Sequence, residues 1–270
     1  MNISTQHLQG LYLAFTKTKS LWKAAAVLNL EQLDLPIDSS PLWLRKLDRP
    51  LRLGQLAEQF VFNQIEASVS LKILAENIQV QQNKQTIGEL DALIIKNEQP
   101  IHLEIVYKFY VYDASLGDAE IERWIGPNRK DSLSEKLTKL KNKQLPLLYT
   151  DASQNLLHTL DLSKYQFKQY VLFKAQLFVP FEQAVIFEDL NEACVCGFYI
   201  NTAQLKIFAN CTFYIPRKLD WFLEPHKAVS WLDFENFSLE AHTFIDNRQS
   251  PLFWMKSEIG DLKKCFLVWW

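Results

Sequence analysis

The chain has 270 residues, 48% of them hydrophobic and 22% charged, which is enough to bury a sizeable core in one large domain or two smaller ones. A formal net charge of −2 excludes a uniformly basic nucleic-acid coat, so any contact with a polyanion must come from a local patch. Only 7 glycines are present, with no GxGxxG, GxxxxGKS or GxxxxGKT, and this excludes the glycine-rich phosphate loops.

Residues 5–30 show helical periodicity through Leu8, Leu11, Leu13, Phe15, Leu21, Trp22, Ala25 and Leu28, and predict an N-terminal helical extension. A connector with Pro36, Pro41 and Pro50 follows. "LRLGQLAEQFVFNQIEAS" predicts a helix with Leu53, Leu56, Phe60 and Ile65 on or near one stripe. A first strand ends near Val80, and two more cover 87–96 and 101–112, split by "NEQP". After the loop "WIGPNRKD", "SLSEKLTKLKNKQL" predicts a helix with a Ser132/Glu135 capping box and a Leu133, Leu137, Leu140 stripe. Gln169–Pro180 is a strand. The middle of the chain therefore reads helix, three strands, helix, strand. Residues 181–270 are aromatic-rich, with "GFYI", "CTFYIP", "SPLFWM" and "CFLVWW" as short strands of a small α+β region. Their aromatics suit a core better than base stacking. These readings place domain boundaries at 1–50, 51–180 and 181–270.

Cys194, Cys196, Cys211 and Cys265 match no zinc spacing and include no CxxC, which predicts reduced, buried thiols. The first thirty residues lack a basic stretch followed by an apolar run, and no window reaches the roughly 18 apolar residues of a membrane span. The expectation is a cytoplasmic protein with no membrane partner.

The stretch "GELDALIIKNEQPIHLEIVYKFY" carries Glu89, Asp91, Glu104 and Lys108 inside two predicted strands. With the turn centred on Glu98 and Gln99, Ile95 faces His102, Leu93 faces Glu104, Asp91 faces Val106 and Glu89 faces Lys108. All the charges, with His102, then share one face. Leu90, Ala92, Ile94, Leu103, Ile105, Tyr107 and Phe109 form the other. A register shift of two keeps this grouping, and a shift of one breaks it. Two readings stand. The polar face is solvated, with Glu89 and Lys108 as a surface ion pair. Alternatively, Asp91 and Glu104 repel each other until a hard cation bridges them; Mg²⁺ takes few carboxylates and keeps several waters.

A helix, three strands, a helix and a strand, with an Asp on the second strand and a Glu and a Lys on the third, resembles the PD-(D/E)XK nuclease superfamily. "LGQLAEQF", "TIGELDALI", "HLEIVYKFY", "WIGPNRKDSLSEKL" and "KQLPL" together resemble one bacterial family, "domain of unknown function 1853". The resemblance runs from about Leu53 to Leu148. It implies a fold class: α/β, with a restriction endonuclease-like αβββαβ core between the N-terminal helical extension and the C-terminal aromatic-rich α+β region. It also implies Mg²⁺- (or Mn²⁺-) dependent hydrolysis of phosphodiester bonds in DNA or RNA by in-line attack of water. Asp91 and Glu104 would bind the metal with the Ile105 carbonyl, Glu58 would supply another acid, and Lys108 would stabilise charge on the phosphate. The superfamily lysine usually sits two residues after the Glu, where this chain has Val106; Lys108 is two further along, roughly 6.6 Å away. That departure keeps open a second implication, an inactive nuclease-fold module that binds nucleic acid or a protein.

Between Arg123 and Lys143, seven basic residues stand against Asp131 and Glu135. Lys136, Lys139 and Lys143 share a helical face, and with Arg129 they are the expected phosphate contacts. A solvated helix face and a plain "GPNR" turn explain the same residues. His102 reads as an edge or capping residue. With no GxSxG, HExxH or HxxxH, a hydrolase triad or a histidine metal site is not indicated.

Overall fold

The computed structural model describes residues 4–23, 26–36 and 39–270; Ala25 of the expected N-terminal stripe lies outside them. In chain order the elements are α1 (Thr5–Lys17), β1 (Ala26–Val27), β2 (Leu30–Glu31), α2 (Leu53–Glu66), β3 (Leu71–Gln82), β4 (Gln85–Lys96), β5 (Gln99–Tyr112), β6 (Trp124–Ile125), α3 (Leu133–Lys139), α4 (Leu145–Leu147), α5 (Asp151–Thr159), β7 (Lys168–Pro180), β8 (Val195–Asn201), β9 (Thr212–Tyr214), α6 (Phe234–Asp246), β10 (Leu252–Lys256) and β11 (Leu262–Val268). The architecture is mixed α/β. Pairs β3–β4, β4–β5, β9–β10 and β10–β11 are antiparallel, and β7–β8 and β8–β11 are parallel. The chain divides into two compact units. One holds the chain up to Tyr12, Ser20–Tyr107 and Glu135–Lys174; the other holds Leu13–Lys19, Lys108–Ser134 and Ala175–Trp270. These units cut across the boundaries expected at 50 and 180.

In the first unit the strand order is β3-β4-β5-β7. The helix expected over 5–30 stops at Lys17. Beyond it the Leu21 amide donates to the Phe173 carbonyl (2.8 Å), drawing the chain onto β7, and Ala26–Glu31 form a small antiparallel pair. Apolar spacing at Leu53, Leu56 and Phe60 gives α2 a buried stripe, its C-terminal half from Phe60 to Ile65 is buried all round, and Phe60 meets Tyr12 (5.5 Å) and Trp43 (5.2 Å). Asn63, buried on α2, accepts the Leu44 amide (2.8 Å) and donates to the Leu42 carbonyl (2.7 Å). Arg45 then grips Glu76 on β3 with both guanidinium nitrogens (2.6 and 3.0 Å).

The β4–β5 turn is Asn97–Glu98, both in left-handed backbone (φ 46° and 68°). This is the geometry favoured in two-residue hairpins, and asparagine tolerates it well. The turn therefore sits one residue earlier than expected, and the register moves by two: Leu93 pairs with His102 instead of Glu104. A shift of two preserves faces, so the expected grouping of Glu89, Asp91, His102 and Glu104 holds. A solvated outer face does not hold, because His102 and Glu104 are fully buried. The cover is the run from α3 to α4, which packs on β4. Leu147 of that run comes close to Gly88, where a Cβ would lie 2.6 Å from Leu147 Cδ2, the end of a flexible side chain.

In the second unit the order is β7-β8-β11-β10-β9, with β6 on the end of β5. The aromatics fill its core, as expected: Phe213 stacks on Phe237 of α6 (4.2 Å, 9°) beside Phe253. Asp233 caps α6 by accepting the Asn236 amide (2.8 Å). Gly197 on β8 lies against the Lys264 carbonyl of β11, where a side chain would collide with backbone. Among the described residues no disulfide joins Cys194, Cys196, Cys211 and Cys265. Among the described residues no helix is long and apolar enough to cross a membrane.

Candidate functional site

The β4–β5 ladder runs from Lys96↔Gln99 to Ala92↔Leu103. The next residue on β4, Asp91, uses its side chain where a backbone carbonyl would continue the ladder: Oδ2 accepts the Ile105 amide (2.8 Å). The same period-2 alternation that buries Ala92 and Leu90 on one side turns Asp91 and Glu89 to the other, beside Glu104. Glu58 comes to this face from α2.

Glu58, Asp91 and Glu104 lie close enough for their charges to act on one another. Burial pushes Glu58 up to about 8, with the Asp91, Glu89 and Glu104 charges adding to the rise. Burial pushes Asp91 up to about 8, and repulsion from Glu104 adds to this against the opposing Ile105 hydrogen bond. Burial raises Glu104 to about 7, held back by the Lys136 charge and by hydrogen bonds from the Asp91 backbone and Gln144. Lys136 is the cation that acts on all three.

Lys136 therefore has a different place from the exposed phosphate contact expected of it. It is half-buried, and its ammonium donates to Gln144 Oε1 (2.8 Å). Gln144 Nε2 in turn donates to Glu104 Oε2 (2.5 Å). Between these residues, Leu140–Gln144 form a π-helical turn. Eight residues of unbroken α-helix overshoot two turns by about 80°. The wider π turn takes up that excess and stacks Gln144 beneath Lys136. Lys139 and Lys143 are exposed.

Glu104 is held from its other side as well. Its Oε1 lies 3.1 Å from His102 Nε2, and His102 Nδ1 lies 3.0 Å from Gln169 Nε2. An amide nitrogen only donates, so Nδ1 accepts and Nε2–H donates to Glu104. Burial pushes His102 down to about 4, so the imidazole is neutral in this role. His102 is a support for Glu104 rather than an edge or capping residue. Gln169 also donates to the Leu145 carbonyl (2.6 Å), which ties β7 to the helical cover. Gln144 and Gln169 went unnoticed in the sequence, since neither lies at a spacing that periodicity would flag.

Two expected site residues belong to other interactions. Lys108 was expected to reach Asp91 or pair with Glu89; its ammonium instead bonds Asp131 (2.6 Å). The loop Gly126–Asp131, closed by the Gly126 amide on the Asp131 carbonyl (2.8 Å), presents that carboxylate. Arg129, the expected phosphate contact, bonds Asp113 (2.9 Å) and lies over the Trp270 ring (4.3 Å).

Among the described residues no three His, Cys, Asp or Glu side chains form a group that could hold a metal ion. Asp91 and Glu104 still offer hard oxygen donors, and Mg²⁺ commonly binds through one or two carboxylates and several waters. In donor chemistry the residues fit such an ion.

The family model described as Domain of unknown function (DUF1853) matches residues 3–265. No curated protein and no solved structure matches the chain.

Proposed function

The chain belongs to the family Domain of unknown function (DUF1853), and for it we propose Mg²⁺-dependent hydrolysis of phosphodiester bonds in DNA or RNA, on a restriction endonuclease-like PD-(D/E)XK core. The observation that carries the reading is the crowding of Glu58, Asp91 and Glu104 around one cation, Lys136, with all three carboxyl groups pushed well above their ordinary range. Such a cluster is short of positive charge and long on oxygen donors.

Asp91 and Glu104 would hold the ion, with Glu58 as a further acid near it. Bound there, Mg²⁺ would polarise a phosphoryl oxygen and make water a better nucleophile. The chain's own residues do the rest. The Ile105 amide fixes the Asp91 carboxylate, and His102 and Gln144 fix the two oxygens of Glu104. Lys136 takes the role first expected of Lys108, stabilising charge that develops on the phosphate. Exposed Lys139 and Lys143 would meet the nucleic-acid backbone.

Titrating Mn²⁺ or Mg²⁺ into wild type and Asp91→Ala by calorimetry tests this. Wild type should bind and cleave single- or double-stranded substrates, and the variant should do neither. Equal, negligible binding in both would remove the metal-dependent reading. The engagement of Lys108 by Asp131 and the absence of a three-ligand cage among the described residues favour a second reading, an inactive module of the same fold that binds nucleic acid or a protein. That module would bind oligonucleotides or a protein without any metal requirement.

A further inference from the structure

Asn83–Lys84 and Asn97–Glu98 are left-handed in hairpin turns, where that backbone is ordinary. Asn77 is left-handed too (φ 50°), yet it lies inside β3. A left-handed residue lacks strand dihedrals, so it interrupts the ladder in which it sits. Asparagine commonly offsets the cost through a local hydrogen bond of its side chain. Here Oδ1 is buried and accepts none. The conformation is therefore held by the surroundings rather than by that oxygen, and such an outlier is a pointer to function.

The position opposite is Asp91. The β3–β4 register passes from Glu76↔Ala92 to Ile78↔Leu90, which leaves Asn77 and Asp91 across from each other at the interruption. On the other edge, β4 stops pairing with β5 at Ala92↔Leu103. Asp91 is thus released from regular pairing on both edges of its strand. It makes two other bonds instead. Oδ2 accepts the Ile105 amide (2.8 Å), and the Asp91 backbone N–H donates to the Glu104 carboxylate. A regular ladder would direct that N–H to a carbonyl of a neighbouring strand. Interruptions of this kind re-aim side chains beside active sites.

We propose that Asn77 is a positioning residue. Its left-handed backbone breaks the β3–β4 pairing opposite Asp91, and the break lets Asp91 bond both Ile105 and Glu104, tying the two carboxylates together. The bearing of this on catalysis rests on the metal-dependent reading of the cluster; the positioning itself does not.

The test compares wild type with Asn77→Gly and Asn77→Val. Glycine takes left-handed backbone freely, whereas valine resists it and suits a regular strand. Amide hydrogen exchange without divalent cations reads the Ile105 amide. The Leu33 amide, which donates to the Val171 carbonyl (2.8 Å), serves as the reference away from the site. Asn77→Gly should match wild type. Asn77→Val should speed exchange at Ile105 at least tenfold with Leu33 unchanged, and should weaken Mn²⁺ binding at least tenfold by calorimetry. Asn77→Ala should shift both in the same direction by less, and it serves if the valine variant does not fold. Unchanged Ile105 exchange in the valine and alanine variants would overturn the proposal, as would equal acceleration in Asn77→Gly, which would assign the effect to the side chain. Accelerated Ile105 exchange in Asn77→Val, together with no Mn²⁺ binding even in wild type, would remove the nuclease reading and leave the role of Asn77 standing.

Discussion

Asp91→Asn replaces one carboxylate oxygen with NH₂ and keeps an oxygen to accept the Ile105 amide. It should therefore change the pH dependence of stability more than the fold. In the native protein burial pushes the Asp91 carboxyl up to about 8, against 3.8 for the free group. Between those values the folded chain binds a proton that the unfolded chain has released, so stability is greatest at low pH and falls as pH rises. One such proton costs about 1.4 kcal/mol per pH unit. From pH 5 to 7 the asparagine variant should lose about 3 kcal/mol less than wild type. Urea denaturation at pH 5, 6, 7 and 8 with a chelator present measures this directly. Parallel curves of stability against pH for the two proteins would refute the picture of a crowded, proton-holding cluster.

Lys136→Met should leave the fold intact and reduce metal-dependent cleavage by about 100-fold or more, the scale on which an oriented electrostatic donor acts; single-turnover assays would show it. Lys108→Met removes a half-exposed pair with Asp131, so chemical denaturation should register less than about 1 kcal/mol, with cleavage unchanged. Loss of cleavage in this variant would return the catalytic role to Lys108. His102→Phe strips a buried donor from Glu104 and leaves Gln169 without that acceptor, and should cost about 1–3 kcal/mol in urea melts. Gly197→Ala would drive a methyl group into the Lys264 carbonyl across a parallel strand pair, and a loss of about 3 kcal/mol or more is expected. A neutral result there would mean that β8 and β11 can separate without penalty.

Much of this site was legible before any coordinates. A strand alternates faces with a period of two, so "GELDALIIKNEQPIHLEIVYKFY" by itself fixed which residues are core and which are polar. That conclusion survived a register error of two residues at the Asn97–Glu98 turn. The helix carrying Glu58, the strand Lys168–Pro180 and the aromatic core of the second unit were also local patterns of spacing and composition.

Only the tertiary structure decided which partner each charge takes. Local pattern could not show that the polar face lies under the run from α3 to α4, because coverage depends on which helix packs there. Nor could it show that Lys136, not Lys108, is the cation of the carboxylate cluster. A lysine ammonium reaches far from its own Cα, and a single π turn moved Gln144 into line with Lys136 while the Gly126–Asp131 loop engaged Lys108. Period and composition determine the face on which a charge lies, and packing between distant segments determines what that charge meets.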